Sequence, residues 1–433
     1  MQSPADPPRP PAHPARGPRA VPPLARLVLG ALLAAGSGFA GAASTGTPIK
    51  IGMSAAFTGS SAGLGIEYYR GAKAYFDEVN ARGGIGGRRL ELVALDDGYQ
   101  PDRTVANTVR LVGQERVFAL FNYVGTPTLT AALPVLKSFD AQGVSLVGNL
   151  TGAQIQRNVP YSTNVFNIRA SYAQEMEAQV EQLWAAGFRK FGVFYQLDAY
   201  GRSGEEGVAR ALARHGARIT AEATYRRGVT ADADMGPAMT HLREAGVEVV
   251  LSATTYEAGS AFIRATRDAG WNVPITNLSG VSADNLLGLL QAAGRKTGRD
   301  YTRGLLNTQV VPSYNDARFP AVGEYRRLIE KWKPTLPAGV QNSTYRPVAY
   351  SFLGLEGFLN AKVIVEGMRR SGPTLTRPGF RSALERMEEL DLGIGEPLTF
   401  SPSRHQGLNR VYLTAVQGGR WVTVNRWQLR PGQ

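Results

Sequence analysis

Residues 65–97 read GIEYYRGAKAYFDEVNARGGIGGRRLELVALDD, and this stretch decides the fold. Its first half repeats apolar side chains at helical spacing, and its second half is an apolar run that ends on two aspartates. The apolar face of the helical half consists of Ile66, Tyr69, Ala72, Tyr75, Phe76 and Val79. Because the glycines within 83–87 end a helix and turn the chain, we predict a helix over 66–80 and a strand over 90–95.

The same alternation of strand and helix continues on both sides of this stretch. Strand-like runs lie at 49–56, 117–121 and 144–147, with helical runs at 101–113 and 129–139. Strand, helix and strand at this spacing indicate parallel βαβ units. We therefore predict that the amino-terminal half of the chain forms a doubly wound parallel sheet.

A second series of the same kind begins near residue 191. Its strand-like runs are 191–196, 219–225, 247–253 and 273–278, and its helical runs are 203–215, 235–245 and 259–269. A chain of 433 residues also exceeds the size of one hydrophobic core. The prediction is an α/β fold with two doubly wound parallel-sheet lobes, and ligands of such sheets bind at the carboxyl ends of the strands.

The amino-terminal 43 residues differ in character from the rest. A Pro-rich extension precedes the apolar run 24–35, which is too short to cross a bilayer, and Arg16, Arg19 and Arg26 lie before or at its start. The small residues 40–42 fit the A-x-A cleavage rule. We predict a signal peptide over 1–43, cleavage near Ala42 or Ala43, and export to the periplasm.

Composition excludes several classes of function. The chain has no cysteine, so disulfides, thiolate metal sites and a cysteine nucleophile are excluded. The net charge of +13 comes from scattered arginines that are not interleaved with aromatic residues, which is not the pattern of a nucleic-acid binder. We expect a monomer with no cofactor, no metal and no nucleic-acid partner.

The loop 57–65, FTGSSAGLG, contains the G-x-S-x-G pattern of a hydrolase nucleophile elbow with Ser61 at its centre. A serine nucleophile needs a histidine base, and the exported chain offers His215, His241 and His405. None of them has a local feature that places it beside Ser61. We interpret the loop as a ligand-contacting loop that includes Leu64, with no catalytic residue.

Two further loops have the chemistry of a carboxylate site. In GTPT, Thr126 is predicted as the N-cap of a helix with Pro127 at its first position, and Gly125 lets an anion approach the backbone. In LTGA, Thr151 and Gly152 supply a second hydroxyl and a second open amide. Amides at a helix start, aided by hydroxyls, hold a small carboxylate without any arginine.

The sequence as a whole resembles the type I periplasmic binding proteins, in the Leu/Ile/Val-binding branch that serves ABC importers. The motifs that carry the resemblance are IKIGMSAAFTG, the stretch 65–97, VGTPT, LTGA, VFYQLDAYG and FIRATRDAG. The resemblance implies a three-crossover hinge, with one lobe at 44–166 and 311–399 and the other at 167–310 and 400–433. It also implies hinge closure on a small ligand, a membrane permease as partner, and no enzymatic activity.

The resemblance also implies site residues. Thr126 and Thr151 with the glycines beside them would grip the ligand carboxylate, and Tyr200 and Tyr256 match the aromatic positions of the family. Ser279 stands where amino-acid binders of the family have a glutamate for the ligand ammonium. The ligand is therefore an amine-free carboxylate, or an amino acid whose ammonium pairs with Glu257 or Asp284 instead.

Three functions follow from the sequence. A solute-binding protein that delivers its ligand to an ABC importer is the main prediction. A ligand-sensing module for a membrane receptor is the alternative, and a secreted serine hydrolase that uses Ser61 is a remote one.

Overall fold

A computed structural model describes residues 46–340 and 343–431, together with the isolated positions 8, 11 and 12. Apart from those isolated positions, the predicted signal peptide and its cleavage site near Ala42 or Ala43 lie outside the described residues. Ser44–Gln433 forms one compact unit. Across the described chain, no helix combines the length and the apolar character needed to cross a bilayer.

The amino-terminal part of this unit forms a five-stranded parallel sheet. Its strands are β1 (Ile49–Ala55), β2 (Leu90–Asp96), β3 (Ala119–Val124), β4 (Leu146–Leu150) and β5 (Val165–Phe166). Their spatial order is β2-β1-β3-β4-β5. Three helices connect the strands, namely α1 (Ala62–Ala81), α2 (Pro101–Val109) and α3 (Thr126–Ser138). The predicted βαβ alternation is confirmed.

The second sheet has seven strands. Five of them are parallel: β6 (Phe191–Gln196), β7 (Ala221–Tyr225), β8 (Val249–Ala253), β9 (Ile275–Asn277) and β10 (Leu305–Gln309). A short hairpin, β11 (Leu390–Asp391) and β12 (Pro397–Leu398), lies apart from both sheets. Beyond it, β13 (Tyr412–Gln417) and β14 (Arg420–Val424) join the second sheet as antiparallel strands beside β10.

Helices cover both sheets. In the second sheet, α4 (Tyr172–Ala185) precedes β6, and the helices between the parallel strands and before β10 are α5 (Ala199–Ala213), α6 (Gly236–Glu244), α7 (Tyr256–Asp268) and α8 (Ala283–Thr297). After β10 the chain forms α9 (Pro320–Trp332), α10 (Phe352–Arg370) and α11 (Arg377–Glu385), and both α9 and α10 pack against α1 of the first sheet. The predicted α/β fold with two parallel-sheet lobes is confirmed, whereas the exact lobe boundaries stay a prediction.

The chain crosses between the sheets at three places. Segment 167–171 joins β5 to α4, the segment after β10 leads back to α9, and segment 399–411 joins β12 to β13. The first and third crossings are paired side by side. The Asn167 amide donates to His405 O at 2.7 Å, and the amides of Gly407 and Leu408 each donate at 2.9 Å to the carbonyls of Asn167 and Ile168.

Helices α1 and α10 contact each other backbone to backbone through glycines. A Cβ placed on Gly71 would lie 1.8 Å from Gly354 O, and a Cβ on Gly357 would lie 2.2 Å from Tyr68 O. Real Cβ atoms do not approach an oxygen so closely, so these positions require glycine for the helices to meet. Beside this seam, Tyr68 donates to Glu356 at 3.1 Å and accepts from Asn360 at 2.6 Å.

Replacing Gly71 by alanine tests this seam. Because the methyl group has no room against the α10 backbone, we expect Gly71→Ala to lower the free energy of unfolding by about 1–3 kcal/mol. Gly323→Ala is the control, since Gly323 lies on the exposed side of α9 with open space around its Cβ position. There alanine should be neutral or stabilising by up to about 1 kcal/mol. Urea midpoints are the measurement, and equal shifts in both variants would contradict the seam.

Candidate ligand-binding site

The turn from β3 into α3 forms one end of the site. Gly125 is the N-cap of α3 with φ of 105°, and Thr126 is the first helical residue, so the prediction of Thr126 as the N-cap is wrong by one position. A Cβ on Gly125 would lie 2.4 Å from Cε2 of Tyr99. The position therefore needs glycine for its positive φ and for its lack of space, and it leaves the first amides of α3 open to an acceptor.

The turn after β4 lies beside it. A hydrogen bond of 2.7 Å joins the hydroxyls of Thr126 and Thr151, both fully buried. Arg157 donates to Ala153 O at 2.9 Å from the far side of this turn, and its pKa is lowered to about 9, first by burial and then by the charge of Arg169. Arg157 also donates to Thr151 O at 3.5 Å, so the amide of Gly152, which belongs to the same trans peptide bond, faces the opposite side. We call Gly125, Thr126, Thr151 and Gly152 the cradle.

Tyr172 faces the cradle and was not predicted. It starts α4 directly after the first crossing, and its ring covers Gly152, where a Cβ would lie 2.5 Å from Cδ1 of the tyrosine. Burial raises the pKa of Tyr172 above its usual value, while the positive charge of Arg169 opposes the rise. The backbone amide of Tyr172 donates to Gly152 O at 2.8 Å, which fixes the tyrosine against the cradle.

The predicted aromatic residues of the second lobe lie in the same site. The rings of Tyr172 and Tyr200 are 5.4 Å apart between centroids, and the Tyr200 hydroxyl donates to Thr254 O at 3.2 Å. Tyr256, the first residue of α7, accepts from the amide of Gly63 at 3.2 Å. That hydrogen bond joins the two lobes directly.

Two further tyrosines of the site were missed. Tyr99 has a left-handed backbone with φ of 62°, and its ring lies against Gly125. Such a conformation is uncommon outside glycine and asparagine, and it often marks a functional position. Tyr225 accepts from the Thr255 amide at 2.9 Å and donates to Gln196 at 3.2 Å. The site is consequently lined by aromatic rings from both lobes.

The loop 57–65 meets the second lobe at Gly63. Leu64 is 2% exposed, and a Cβ on Gly63 would lie 2.5 Å from Nδ2 of Asn285 and 2.8 Å from Cε2 of Tyr345. The preceding residues are held by Asp96, which accepts from the amide of Phe57 at 2.8 Å and from the amide of Gly98 at 3.0 Å. Asp96, at the end of β2, therefore caps the turn at Gly98 and fixes the start of the loop.

Ser279 forms hydrogen bonds with the buried charged side chains of Glu175 and Arg169. Its amide and hydroxyl both donate to Glu175, at 2.9 and 2.8 Å, and its hydroxyl accepts from Nη2 of Arg169. Thr308 donates to Glu175 at 2.7 Å, and Arg169 Nη2 lies 3.2 Å from Oε1 of the same carboxylate. Both oxygens of Glu175 are therefore fully used by donors of the protein.

Arg169 connects this group to the other lobe. It belongs to the first crossing, its side chain is 1% exposed, and its Nη1 lies 3.6 Å from Oε1 of Glu356 on α10. Burial alone would lower the pKa of Arg169, but the two carboxylates outweigh burial and raise it, and burial raises the pKa of Glu356. We call Arg157, Arg169, Glu175 and Glu356 the hinge charge cluster. It contains two cations and two anions.

The two acids considered as substitutes for a glutamate at 279 have other partners. Asp284 accepts from the hydroxyl of Tyr314 at 2.8 Å and from the amide of Phe352 at 2.9 Å, and burial raises its pKa to about 7. Glu257 accepts from the amide of Ala231 at 2.7 Å. Within the described chain, neither carboxylate forms a hydrogen bond to a cradle residue.

The histidines do not assist Ser61. His215 lies 2.9 Å from Glu181 and stacks on Trp184, while His405 stacks on Phe166 at 4.0 Å. His241 lies in the last turn of α6. Ser61 itself is the buried N-cap position of α1, with 3% exposure. Among the described residues, no histidine forms a hydrogen bond to this serine.

Residues 48–420 match the family model of the periplasmic binding proteins. A possible leucine/isoleucine/valine-binding protein from Rhodopirellula baltica superposes with a TM-score of 0.77 and 32% identity, over 88% of this chain and 97% of that one. A substrate-binding periplasmic protein from Ralstonia solanacearum gives 0.74 and 32%, over 87% and 99%. An amino acid binding protein of Pseudomonas aeruginosa is 26% identical over 60% of this chain and 66% of its own length.

The chain therefore belongs to the periplasmic binding protein family. The predicted resemblance to type I proteins of the Leu/Ile/Val-binding branch, which serve ABC importers, is confirmed. Proteins of this family bind solutes and are periplasmic. The roles of the individual residues in the site stay predictions.

Substitution of Ser61 tests the hydrolase alternative. We expect wild-type protein and Ser61→Ala to give the same background rate with generic aryl esters, because the serine is buried and has no base. Hydrolysis is followed by release of the aryl alcohol at several protein concentrations. Turnover that scales with wild-type protein and disappears in Ser61→Ala would mean that the chain is an enzyme.

Proposed function

We propose that this chain captures a small carboxylate without an α-amine in the cleft between its lobes and delivers it to the permease of an ABC importer. The cradle supplies neutral donors for the carboxylate at the start of α3, where the helix dipole also favours an anion. Aromatic rings from both lobes surround the rest of the ligand. Closure about the three crossings would then exclude water from the bound ligand.

One contact carries the preference against an amine, namely the hydrogen bond from Arg169 to the Ser279 hydroxyl. An α-ammonium at this wall would meet a guanidinium and a hydroxyl that already donates to Glu175. Glu175 offers the ammonium no free acceptor, since both of its oxygens are occupied. A buried unpaired charge costs several kcal/mol, and about 1.4 kcal/mol already changes affinity tenfold.

Proteins with the same fold do not identify the ligand of this chain, because they bind different ligands. A branched chain amino acid transporter protein from Thermus thermophilus binds valine, and a solute binding protein from R. palustris binds benzoate, at 17% and 18% identity to this chain. The fold thus accepts ligands with and without an amine. The choice between them rests on the residues of this chain, and Tyr99, Tyr172, Tyr200, Tyr225 and Tyr256 suit a planar or aliphatic apolar body.

Transport and sensing use the same cleft. We favour transport because the chain belongs to a branch that serves ABC importers. No catalytic step is proposed. Uptake of labelled ligand by cells with and without the gene distinguishes the two roles, because a sensing module leaves the uptake rate unchanged and alters only the response to the ligand.

A paired ligand panel tests the carboxylate preference. Calorimetry compares leucine, valine and phenylalanine with their deaminated analogues, and thermal shift gives an independent reading, since a ligand of the folded state raises the melting temperature. We expect each simple acid to bind at least about tenfold more tightly than its amino acid. Glu257→Gln and Asp284→Asn should leave this order unchanged. Clearly tighter binding of the amino acids would refute the proposal.

The intact mass of the exported protein tests whether the signal peptide is cleaved. Because the leader has its basic, apolar and small-residue regions in the order of a signal peptide, we expect the protein recovered from the periplasmic fraction to begin after Ala42 or Ala43. Intact-mass spectrometry of that fraction is sufficient. A mass that still includes residues 24–35 would contradict cleavage.

A further inference from the structure

Arg169 has donors that the protein does not fully satisfy. Its Nη2 serves Ser279 and Glu175, whereas Nη1 lies 3.6 Å from Glu356 without forming a hydrogen bond. Nε has no hydrogen-bond partner among the described residues, although the side chain is 1% exposed. Buried polar groups are nearly always hydrogen-bonded, and an unsatisfied charged donor is costly. These N–H groups therefore indicate an acceptor that comes from outside the chain.

A single side chain, that of Tyr172, lies between the Arg169 guanidinium and the cradle. The central carbon of the guanidinium is 5.6 Å from the centroid of the Tyr172 ring, and the same ring packs on Gly152 of the cradle. The turn after Ser279 also lies against this tyrosine, because a Cβ on Gly280 would lie 3.1 Å from the Tyr172 hydroxyl. A carboxylate held by the cradle would thus have its neighbouring carbon, rather than a distant chain end, on the side of Arg169.

The charges around Arg169 determine what kind of group fits there. Glu175 and Glu356 on its two sides, with Arg157 behind the cradle, balance the charges of the hinge charge cluster. A second full negative charge on the ligand would lie close to both glutamates. A neutral oxygen satisfies the free N–H groups without that repulsion, since carbonyl and hydroxyl oxygens accept hydrogen bonds.

We propose that the ligand is a 2-oxo or 2-hydroxy carboxylic acid, and that Arg169 is the residue that recognises the oxygen on the carbon next to the carboxylate. This inference rests on the proposed function, because it assumes that the cradle holds the carboxylate. It identifies the ligand class more narrowly and assigns the specificity to a residue of the first crossing.

Calorimetry on the full exported chain tests the class with matched carbon skeletons. The panel is 3-phenylpropanoate, phenylpyruvate and 3-phenyllactate, together with 4-methylpentanoate, 4-methyl-2-oxopentanoate and 2-hydroxy-4-methylpentanoate. A hydrogen bond from a charged donor corresponds to an affinity gain of about tenfold to a hundredfold. We expect the oxo or hydroxy acid of at least one skeleton to exceed its parent acid by that factor.

Three variants assign the gain to Arg169. Arg169→Lys keeps the positive charge between Glu175 and Glu356 but loses the guanidinium N–H groups, so the ratio of oxo acid to parent acid should fall to within about threefold of one. Ser279→Ala removes the hydroxyl that accepts from Arg169 Nη2 but leaves the guanidinium, so the ratio should stay above its value in Arg169→Lys. Arg267→Lys is the matched control, since Arg267 is also buried but donates to the backbone of Trp271 and Arg303 away from the cradle.

The outcomes separate the two proposals. If no carboxylic acid of the panel binds, the proposed function fails. If the parent acids bind as tightly as the oxo and hydroxy acids, only this inference fails, and that comparison needs no variant. An unchanged ratio in a folded Arg169→Lys protein, judged by its thermal melt, also overturns it. Tighter binding of malonate-type dicarboxylates would show that the second group is an anion, which contradicts the neutral oxygen.

Discussion

The buried guanidinium of Arg169 is the interaction on which the arrangement of the two lobes depends. It belongs to the first crossing and lies between Glu175 on α4 and Glu356 on α10, which pack on different sheets. Removing one partner from such a group leaves an uncompensated buried charge, which costs several kcal/mol. The crossing is therefore held in one conformation by electrostatics as well as by its backbone, and the wall of the site inherits that conformation.

The hinge charge cluster explains why the wall at Ser279 still contains a carboxylate, although the residue at position 279 is a serine and not the glutamate of the amino-acid binders. Glu175 supplies a carboxylate there from a different helix, but Ser279, Thr308 and Arg169 use all of its acceptor capacity. In the proposed function, the wall thus presents donors rather than acceptors to the ligand. The residue type at position 279 does not by itself determine the polarity of the wall, because that polarity also depends on residues far away in the chain.

Much of the fold was predictable from the sequence because its signals are local. The helix and strand of residues 65–97 follow from apolar spacing and from glycines that adopt positive φ, and the cradle follows from hydroxyls and glycines at the ends of parallel strands. The N-cap of α3 was placed one residue late because Gly125 has no side chain to reveal its role. The antiparallel strands β13 and β14 were not distinguished, since their pairing with β10 joins residues about a hundred positions apart.

The missed site residues depend on distant partners. Tyr172 and Glu175 look like ordinary residues of an amphipathic helix start, and only the folded chain brings them to Gly152 and Ser279. Tyr99 follows a turn, and its left-handed backbone has no sequence signal. Arg169 could have been noticed as a charged residue between Ile168 and Ala170, but its two acids come from positions 175 and 356.

The pairing of the first and third crossings restricts how the lobes move. Segments 167–168 and 405–408 are joined by backbone hydrogen bonds, so they behave as a two-stranded ribbon instead of two independent tethers. A ribbon of this kind twists about its long axis more easily than it bends or shears within its plane. Lobe closure of the kind proposed for this chain would therefore be mainly a rotation about the axis of the ribbon. Ligands of different shapes would then be enclosed along the same path.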